Sequence, residues 1–508
     1  MTASPHTAGD PPPLAGAAPP RAVAWQRLVP SWPLLVWLAV LLRLLAERLA
    51  LLNDPDTYLH IAAGSWILAH GALPTHDPFS HSMPGALWIS SEWLAEITLA
   101  AVYDSLGWGG VMLLAAAAVA AAVALLAHFL LHRLSPLPAL IAAVAAAALL
   151  LPHALARPHV LALPALVLWA GLLLAARDAE RPPPWLALPV IVLWANLHGS
   201  FMFGLALAAF LAGEAVWHAS TPAHRRAEAR RWGLFALAAL AGVLVTPHGV
   251  AGLVQPIRLV AMPVLQTTFA EWASPDFQKS PALEMWLLGI VLVGFATGVR
   301  LPLTRLLLLL GLVHLMLQHG RHADLLALVG PLAVAAPLGQ RLTALVPTQS
   351  SLFAWAERLA QPAGAAAIVV SLALGAAIAA PTLLQPVVRG DDAVTPGAAL
   401  DAARHLGLSG PVFNSEGFGG YLIFRGVPVL IDGRIEMYGN DFLAADWHAE
   451  RGGEAALADL LARYRIAWTL LRPDAGAVLV LDHLPGWQRV YADSLAVIHR
   501  RIEGERGR

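Results

Sequence analysis

The sequence predicts an α-helical polytopic membrane protein with a small α/β domain at its C-terminal end. Of the 508 residues, 58% are hydrophobic and only 13% are charged, whereas a soluble domain carries about a quarter charged residues. Apolar stretches such as 110–129 and 363–380 are long enough to cross the roughly 30 Å hydrocarbon core of a bilayer. Beyond residue 390 the apolar runs shorten to strand length and charged residues become frequent.

The composition also excludes several classes of protein. A net charge of −1 argues against a nucleic-acid partner, which needs a basic surface. The absence of cysteine excludes disulfides, thiolate metal sites and a cysteine nucleophile.

Residues 1–30 are rich in Pro and Ala, and we expect a disordered cytoplasmic tail. No small-residue cleavage site follows the first apolar segment, so the sequence does not predict a cleavable signal peptide.

We expect about eleven membrane spans between residues 31 and 388, a number uncertain by one or two. Two segments, 138–152 and 185–196, are short for a full crossing, and 94–106 is an additional or interfacial helix in this interpretation. The predicted spans are 33–51, 108–131, 138–152, 159–176, 185–196, 201–217, 233–246, 283–299, 303–318, 323–340 and 363–385.

The distribution of basic residues predicts the orientation. With the N-terminus in the cytoplasm, the inner segments and adjoining helix ends hold Arg21, Arg27, Arg133, Arg177, Arg181, Arg225, Arg226, Arg230, Arg231, Arg300, Arg305, Arg341 and Arg358. The outer loops near the membrane hold only Arg157, Arg258, Lys279 and Arg321. By the positive-inside rule, the first loop (53–93) and residues 389–508 are therefore extracytoplasmic.

The C-terminal region alternates short β-prone runs with helical stretches, as α/β domains do. We expect strands at 411–413, 427–431, 467–471, 487–491 and 495–499, and helices near 397–407 and 453–465.

Polar residues collect at the outer ends of five predicted helix pairs. Polar groups at membrane depth are costly and tend to be functional, although ordinary loop polarity is the simpler alternative for any single residue. The set comprises Asn53, Asp54, Asp56, His153, Arg157, His159, Asn196, His198, His248, Glu271, Trp272, His319, Arg321, His322 and Asp324. Because the inner loops offer no comparable set, we expect an outward-facing site.

The first outer loop begins with Asn53-Asp54-Pro55-Asp56 directly after the first span. Two carboxylates at a helix exit can serve as a general base and as an organiser of a metal or phosphate site. The alternative is a simple helix-terminating turn, since Asp and Pro both favour that position.

These features resemble the GT-C membrane glycosyltransferases, which use lipid-phosphate-linked sugars as donors. The resemblance extends to a bacterial branch akin to protein mannosyltransferases and to the aminoarabinose and Rgt-type galacturonic acid transferases. It runs from about residue 33 to 500 and is carried by the stretches 54–60 (DPDTYLH), 77–80 (DPFS), 92–94 (EWL), 157–159 (RPH), 194–199 (WANLHG), 419–422 (GGYL) and 431–434 (IDGR).

The resemblance implies roles for individual residues. The acid of the first loop falls on Asp54 or Asp56, one of which would act as general base on an acceptor hydroxyl that attacks the anomeric carbon with inversion. Arg157 and Arg321 suit the leaving phosphate of the donor. His198, His319 and His322 could assist, and whether a divalent metal (Mg, Mn or Zn) is held by Asp56, His319 and His322 is left open.

The outer domain carries a second motif, 414–421, followed by Asp432-Gly433-Arg434. One interpretation is a loop that closes over the acceptor, with Asp432 and Arg434 facing the membrane cavity as substrate-binding residues. The other is that the glycines form turns and that Asp432 and Arg434 are a structural pair.

The resulting hypothesis is an enzyme of the bacterial inner membrane that transfers a hexosyl or pentosyl group. It would take the sugar from a polyprenyl-phosphate-linked donor to an extracytoplasmic lipid, glycan or protein acceptor, with the membrane and no nucleic acid as its other partners. The alternatives are a non-catalytic transporter of lipid-linked glycans and a non-catalytic envelope assembly protein.

Overall fold

The computed structural model describes residues 28–47, 49–264, 272–345 and 354–502. Most of the tail expected to be disordered lies outside this part of the chain. Many of the helices begin with proline in the first turn, where its missing N–H has no intrahelical partner to lose.

The membrane part is built from helices that pack around α3 and α5. Its helices are α1 (Trp32–Ala46), α2 (Pro55–His70), α3 (Trp93–Leu131), α4 (Pro136–Leu150), α5 (Pro158–Asp178), α6 (Leu188–Leu197), α7 (Phe201–His218), α8 (Pro222–Val243), α9 (Val250–Val260), α10 (Pro281–Thr297), α11 (Leu303–Gln318), α12 (Ala323–Leu345), α13 (Ala354–Ala360) and α14 (Ala365–Leu384). Gly107, with φ 61° and ψ −157°, interrupts α3 and separates its first part from the span predicted to begin at residue 108.

Six helical segments of the described chain are long and apolar enough to cross a membrane: Trp93–Leu131, Pro136–His153, Pro158–Asp178, Phe201–His218, Gly320–Leu345 and Ala365–Leu384. Shorter apolar helices cover Trp32–Ala46, Trp185–Leu197, Val250–Val260, Pro281–Thr297 and Leu303–Gln318. The predicted span 233–246 overlaps the second half of α8. The chain is therefore a helical membrane protein, and the number of eleven spans stays a prediction.

The C-terminal region is a small α/β domain with a four-stranded sheet in the order β1-β2-β4-β3. The pair β1–β2 is parallel, and the other pairs are antiparallel. Its elements are α15 (Gly397–His405), β1 (Val412–Asn414), α16 (Glu416–Phe424), α17 (Ile435–Tyr438), α18 (Asn440–Glu450), α19 (Glu454–Arg463), β2 (Trp468–Leu470), α20 (Gly476–His483), β3 (Trp487–Ala492) and β4 (Val497–Arg501).

Four of the five predicted strands are confirmed, and the fifth is wrong. Residues 427–431 do not join the sheet; instead Val429 forms a β-bridge with Ser80 of the first outer loop. The amide of His81 donates to the Val429 carbonyl at 2.9 Å, and the amide of Val429 donates to the Phe79 carbonyl at 3.2 Å. The β-prone composition of this segment does correspond to a β-bridge. The partner of the bridge, however, lies more than 300 residues away in the sequence.

The glycine motif of the outer domain is helical, so both sequence interpretations of it, a closing loop and glycine turns, are wrong. It forms most of α16, which packs against the start of α2. A Cβ atom at Gly420 would lie 2.1 Å from the carbonyl oxygen of Pro55, which is far inside van der Waals contact. The glycine therefore serves the close approach of two helices, at a modest cost in helix propensity.

A buried ion pair joins the first outer loop to the C-terminal domain. The Arg434 guanidinium donates to Asp432 at 2.8 and 2.7 Å and to Asp77 at 2.6 Å. Its carbon lies 5.1 Å from the ring centre of Phe79 and 4.8 Å from that of Trp88. All three charged residues are buried, which favours the structural interpretation of Asp432 and Arg434, and their role as substrate-binding residues stays a prediction.

We expect Arg434→Leu to lower the stability of the fold strongly, because it leaves two buried carboxylates without their cation. Breaking a buried pair in this way costs about 3–5 kcal/mol. The apparent melting temperature of the detergent-solubilised protein should fall well below that of the native chain. Arg463→Leu is the control, since Arg463 forms an exposed pair with Asp459. Equal melting temperatures for the two variants would show that the buried ion pair of Arg434 does not stabilise the fold.

Candidate active site at the start of the first outer loop

The two aspartates of the first outer loop lie at the N-terminus of α2. Asp54 is the N-cap residue, and its carboxylate accepts a hydrogen bond of 2.7 Å from the amide of Asp56. Pro55 occupies the first helical position, where its fixed φ is suited to a helix. Both carboxylates lie near the positive end of the helix dipole, which favours negative charge.

Arg157 bridges the two aspartates. Its Nε contacts the carboxylate of Asp54, and its Nη2 lies 3.2 Å from Asp56. The side chain of Asp54 is only 1% exposed, whereas that of Asp56 is 22% exposed. Asp54 is therefore enclosed with the arginine, while Asp56 keeps an open side.

Backbone contacts hold Arg157 in this position. The amide of Ala156 donates to the Leu51 carbonyl at 2.7 Å, and the hydroxyl of Thr57 donates to the Ala156 carbonyl at 3.1 Å. The segment before α5 is thus fixed to both sides of the Asp54 turn, so the ion pair forms on a preorganised backbone.

The C-terminal domain contributes the opposite wall. A Cβ atom at Gly433 would lie 2.2 Å from Oδ1 of Asp56, so the missing side chain leaves room for the carboxylate. Burial, together with the charge of Asp56, raises the pKa of Glu416, the first residue of α16, to about 8. The aspartates accordingly lie at an interface between the two parts of the chain.

A second group of polar side chains is centred on Glu92, directly before α3. Its carboxylate lies 3.3 Å from Nε2 of His198 and 3.7 Å from Nε2 of His60. Nδ1 of His60 lies 3.4 Å from Glu96 on α3. The ring of His159 lies 6.2 Å from that of His198, which connects this group to the segment that carries Arg157.

The electrostatic environments of these groups differ sharply. Burial lowers the pKa of His60, but the hydrogen bond to Glu96 and the charge of Glu92 outweigh it and raise the value to about 9. Burial raises the pKa of Glu92 to about 7. Burial and the charge of Arg321 lower the pKa of His198 to about 3. Neighbouring groups with separated pKa values are typical of acid–base sites.

Two residues predicted for substrate contact form hydrogen bonds within the protein. The amide of Asn196 donates to the carbonyls of Val192 and Val245 at 2.8 and 3.0 Å, and its oxygen accepts from the indole of Trp93 at 2.9 Å. Nε2 of His248 donates to the Ser90 carbonyl at 2.9 Å. They fix the ends of α3, α6 and α8 around Glu92, while Glu271 lies outside the described residues.

The turn between α11 and α12 supplies the remaining predicted residues. Nδ1 of His319 donates to the Trp272 carbonyl at 2.6 Å, and Nδ1 of His322 donates to the Leu315 carbonyl at 3.2 Å. The guanidinium of Arg321 lies 4.4 Å from the Trp272 ring centre. Its charge acts on Glu92 and His198, so Arg321 belongs to the same electrostatic site.

The residues proposed for a metal do not form a ligand set. Within the described segments, no group of three or more His, Asp or Glu side chains is arranged to hold a metal ion. His319 and His322 each commit one ring nitrogen to a backbone carbonyl.

Four titratable residues belong to the site in the structure but are absent from the set predicted from the sequence: His60, Glu92, Glu416 and Glu436. His60 lies one helical turn after Asp56, a spacing that places both on one face of α2. Glu92 closes the same outer loop, and Glu416 begins the glycine motif. Glu436 has no comparable signal, because only the docking of α17 brings its charge near Glu92.

No family model matches the chain, and no curated protein matches it. Two solved structures of an oligosaccharyltransferase from Archaeoglobus fulgidus are similar. Archaeal oligosaccharyltransferase AglB in complex with an inhibitory peptide and a dolichol-phosphate has a TM-score of 0.52 at 13% identity, covering 89% of this chain and 70% of that one. The apo form of the enzyme has a TM-score of 0.52 at 13% identity, covering 86% and 69%.

The likeness is in keeping with the GT-C-like fold that the sequence motifs predict. At this level of identity the likeness concerns the fold alone. The narrower bacterial branch stays a prediction.

The raised pKa of His60 predicts a pH dependence of stability. Its folded value of about 9 lies above the unfolded value near 6.5, so its stabilising contribution is complete below about pH 6.5 and is lost as the pH rises through 9. We expect the melting temperature of the native protein to fall more over this range than that of His60→Gln. His405→Gln, at an exposed histidine of α15, should behave like the native chain. If the melting temperatures of all three proteins change with pH in parallel, ion pairing of His60 does not stabilise the fold.

Proposed function

We propose that the chain transfers a sugar from a polyprenyl-phosphate-linked donor to an extracytoplasmic acceptor, with inversion at the anomeric carbon. The observation that carries the proposal is the pair of aspartates at the start of α2, bridged by Arg157 and opposed by the C-terminal domain. This arrangement provides a carboxylate base and a guanidinium side by side, which are the two groups that such a displacement needs.

In this mechanism Asp56 is the general base. Its partly exposed carboxylate accepts the proton of the acceptor hydroxyl while that oxygen forms a bond to the anomeric carbon. The bond between the anomeric carbon and the phosphate oxygen breaks on the opposite face, which inverts the configuration. Asp54 is a positioning residue, because it is enclosed with Arg157 and caps the helix that carries Asp56.

The leaving phosphate requires positive charge. Arg157 and Arg321 are the cations of the site, and a guanidinium matches the geometry of phosphate oxygens. Ion pairing with the aspartates also orients Arg157 before substrate arrives, so little reorganisation accompanies the transfer.

An apolar groove beside the site supports a lipid-linked donor. It has a volume of about 900 Å³ and is lined mostly by apolar side chains of α3, α6 and the segment after α8. Leu193 and Val245 at its wall are 49% and 63% exposed, as expected for residues that face lipid. Trp93 and Asn196 also line it, and they lie one residue from Glu92 and two residues from His198 along the chain. A polyprenyl chain in the groove would present its phosphate to the charged site.

We place the site on the extracytoplasmic side of the bacterial inner membrane, in keeping with the arginine distribution. The acceptor is then a lipid, glycan or protein of the cell envelope. Sugar identity then depends on the shape of the pocket around the anomeric carbon.

Replacing the proposed base should abolish transfer. We expect Asp56→Asn to reduce the transferred product by roughly 10²–10⁴-fold, the usual contribution of a general base. Mass spectrometry of envelope lipids and glycans, in a deletion strain that carries each variant, identifies the species lost on deletion and measures its recovery. Asp459→Asn, at an exposed carboxylate of α19, should restore the product fully.

Two results would contradict the proposal. One is full recovery of the product by the Asp54→Asn, Asp56→Asn double variant, which would favour a non-catalytic transporter or assembly protein. The other is an unchanged set of envelope lipids and glycans in the deletion strain.

The pH dependence of transfer should reflect Asp54. Burial raises its pKa to about 6, although the Arg157 guanidinium opposes the rise. Below that pH, Asp54 becomes protonated and Arg157 loses its closest anion, so we expect the transfer rate in isolated membranes to fall as the pH is lowered through about 6. The residual rate of Asp54→Asn should lack this acid limb. An identical acid limb in that variant would assign it to another group.

A further inference from the structure

A second cavity lies on another face of α2, where the C-terminal domain meets the end of α14. It has a volume of about 570 Å³, and the residues that line it include Tyr58, Trp108, Arg389, Asp391, Asp401 and Tyr421. Tyr58 is two residues from both Asp56 and His60, so it points away from the face of α2 that they share. The cavity is therefore separate from the proposed transfer site.

Arg389 is the buried polar group of this cavity. Its side chain is 3% exposed, and its guanidinium lies 4.3 Å from the ring centre of Tyr58 and 5.2 Å from that of Trp108. Nη2 donates to Asp392 and to Thr395, each at 3.1 Å. Nη1 is buried and has no hydrogen-bond partner within the described part of the chain.

An unmatched guanidinium N–H in a cavity indicates a missing acceptor. Leaving such a buried donor unpaired is costly, and an anionic oxygen is its strongest partner. The rings of Tyr58 and Trp108, whose centres are 5.1 Å apart, both lie on one side of the guanidinium. A phosphate oxygen has the required charge and geometry.

The rim of the cavity adds carboxylates. Asp391 is exposed, and the side chain of Asp401 is 57% exposed, 3.7 Å from that of Arg425. Two arginines and two aspartates thus line the cavity, so its formal charge is balanced. This balance favours a ligand with one negative and one positive group over a simple anion, with the negative group at the buried Arg389 and the positive group at the rim.

The position of the cavity indicates the source of that ligand. Arg389 follows α14, a candidate membrane span, by five residues. Leu384 and Val388, just before it, are 81% and 78% exposed. Large apolar side chains exposed at the end of a span are expected to contact lipid, which places the cavity at the level of the headgroups.

We propose that this cavity binds the headgroup of a zwitterionic, amine-bearing phospholipid. The phosphate accepts from Nη1 of Arg389, and the ammonium group lies between Asp391 and Asp401, beside the ring of Tyr421. A lipid held in this way contacts α2, α16 and the end of α14 together, and so stabilises the docking of the C-terminal domain. The inference does not depend on sugar transfer.

Native mass spectrometry of the full chain, exchanged into detergent with phosphatidylethanolamine or phosphatidylglycerol, tests the proposal. The native protein should retain phosphatidylethanolamine in preference. Arg389→Gln should weaken its binding roughly tenfold, the value of one charge-assisted hydrogen bond. Asp392→Asn removes the neighbouring ion pair but keeps the cation, and should bind as the native protein does.

A substitution at the exposed edge of the cavity tests the proposal even if Arg389→Gln does not fold. Asp401→Asn, at an exposed position, should reduce the preference for phosphatidylethanolamine over phosphatidylglycerol. Equal retention of the two lipids by the native protein, unchanged binding in Arg389→Gln, or an unchanged preference in Asp401→Asn would overturn the proposal. Competition by soluble phosphoethanolamine at the affinity of the lipid would also overturn it, because the ligand would then be a free metabolite.

Discussion

The whole arrangement depends on how helix α2 is held at its N-terminus. The backbone of α16 approaches Pro55 so closely that only glycine fits at position 420. On the other side, Arg157 is fixed by the contacts of Ala156 and neutralises the buried carboxylate of Asp54. Without the arginine, that carboxylate would be buried without a partner cation, at a cost of several kcal/mol. Charge neutralisation and close backbone packing therefore fix the same turn, and Asp56 projects from it in a defined direction.

This turn makes the C-terminal domain part of the site. Gly433 lies against Asp56. The charge of Asp56 raises the pKa of Glu416, and the charge of Glu436 raises that of Glu92. These contacts form only when the domain docks on the first outer loop through Arg434 and the bridge at Val429. The docking interactions are buried and specific, so the site has a preorganised geometry. An electrostatic site gains most from such rigidity, because fixed charges need not reorganise during a reaction.

The sequence predicted the elements whose signals are local. The apolar helices, four strands and the convergence of Asp54, Asp56, Arg157 and His198 follow from hydropathy, alternation and placement at helix ends. The incorrect predictions have one physical cause: the residues concerned contact partners that are distant in the sequence. Residues 427–431 pair with the first outer loop rather than with the sheet, and no residue near Arg434 in sequence indicates its contact with Asp77. Likewise, the sequence favours turns at the glycines of α16, because nothing near them in sequence indicates the helix that they contact.

The unequal burial of Asp54 and Asp56 explains why two carboxylates occur together. A base must be accessible to its substrate, but an accessible carboxylate on a helix end is mobile and interacts weakly with its surroundings in water. Asp54 resolves this conflict: enclosed with Arg157 and bonded to the amide of Asp56, it fixes both the cation and the helix end. Asp56 can then remain partly exposed and still keep a defined position relative to the arginine. The pair thus separates positioning from proton transfer, which a single aspartate at this turn would have to combine.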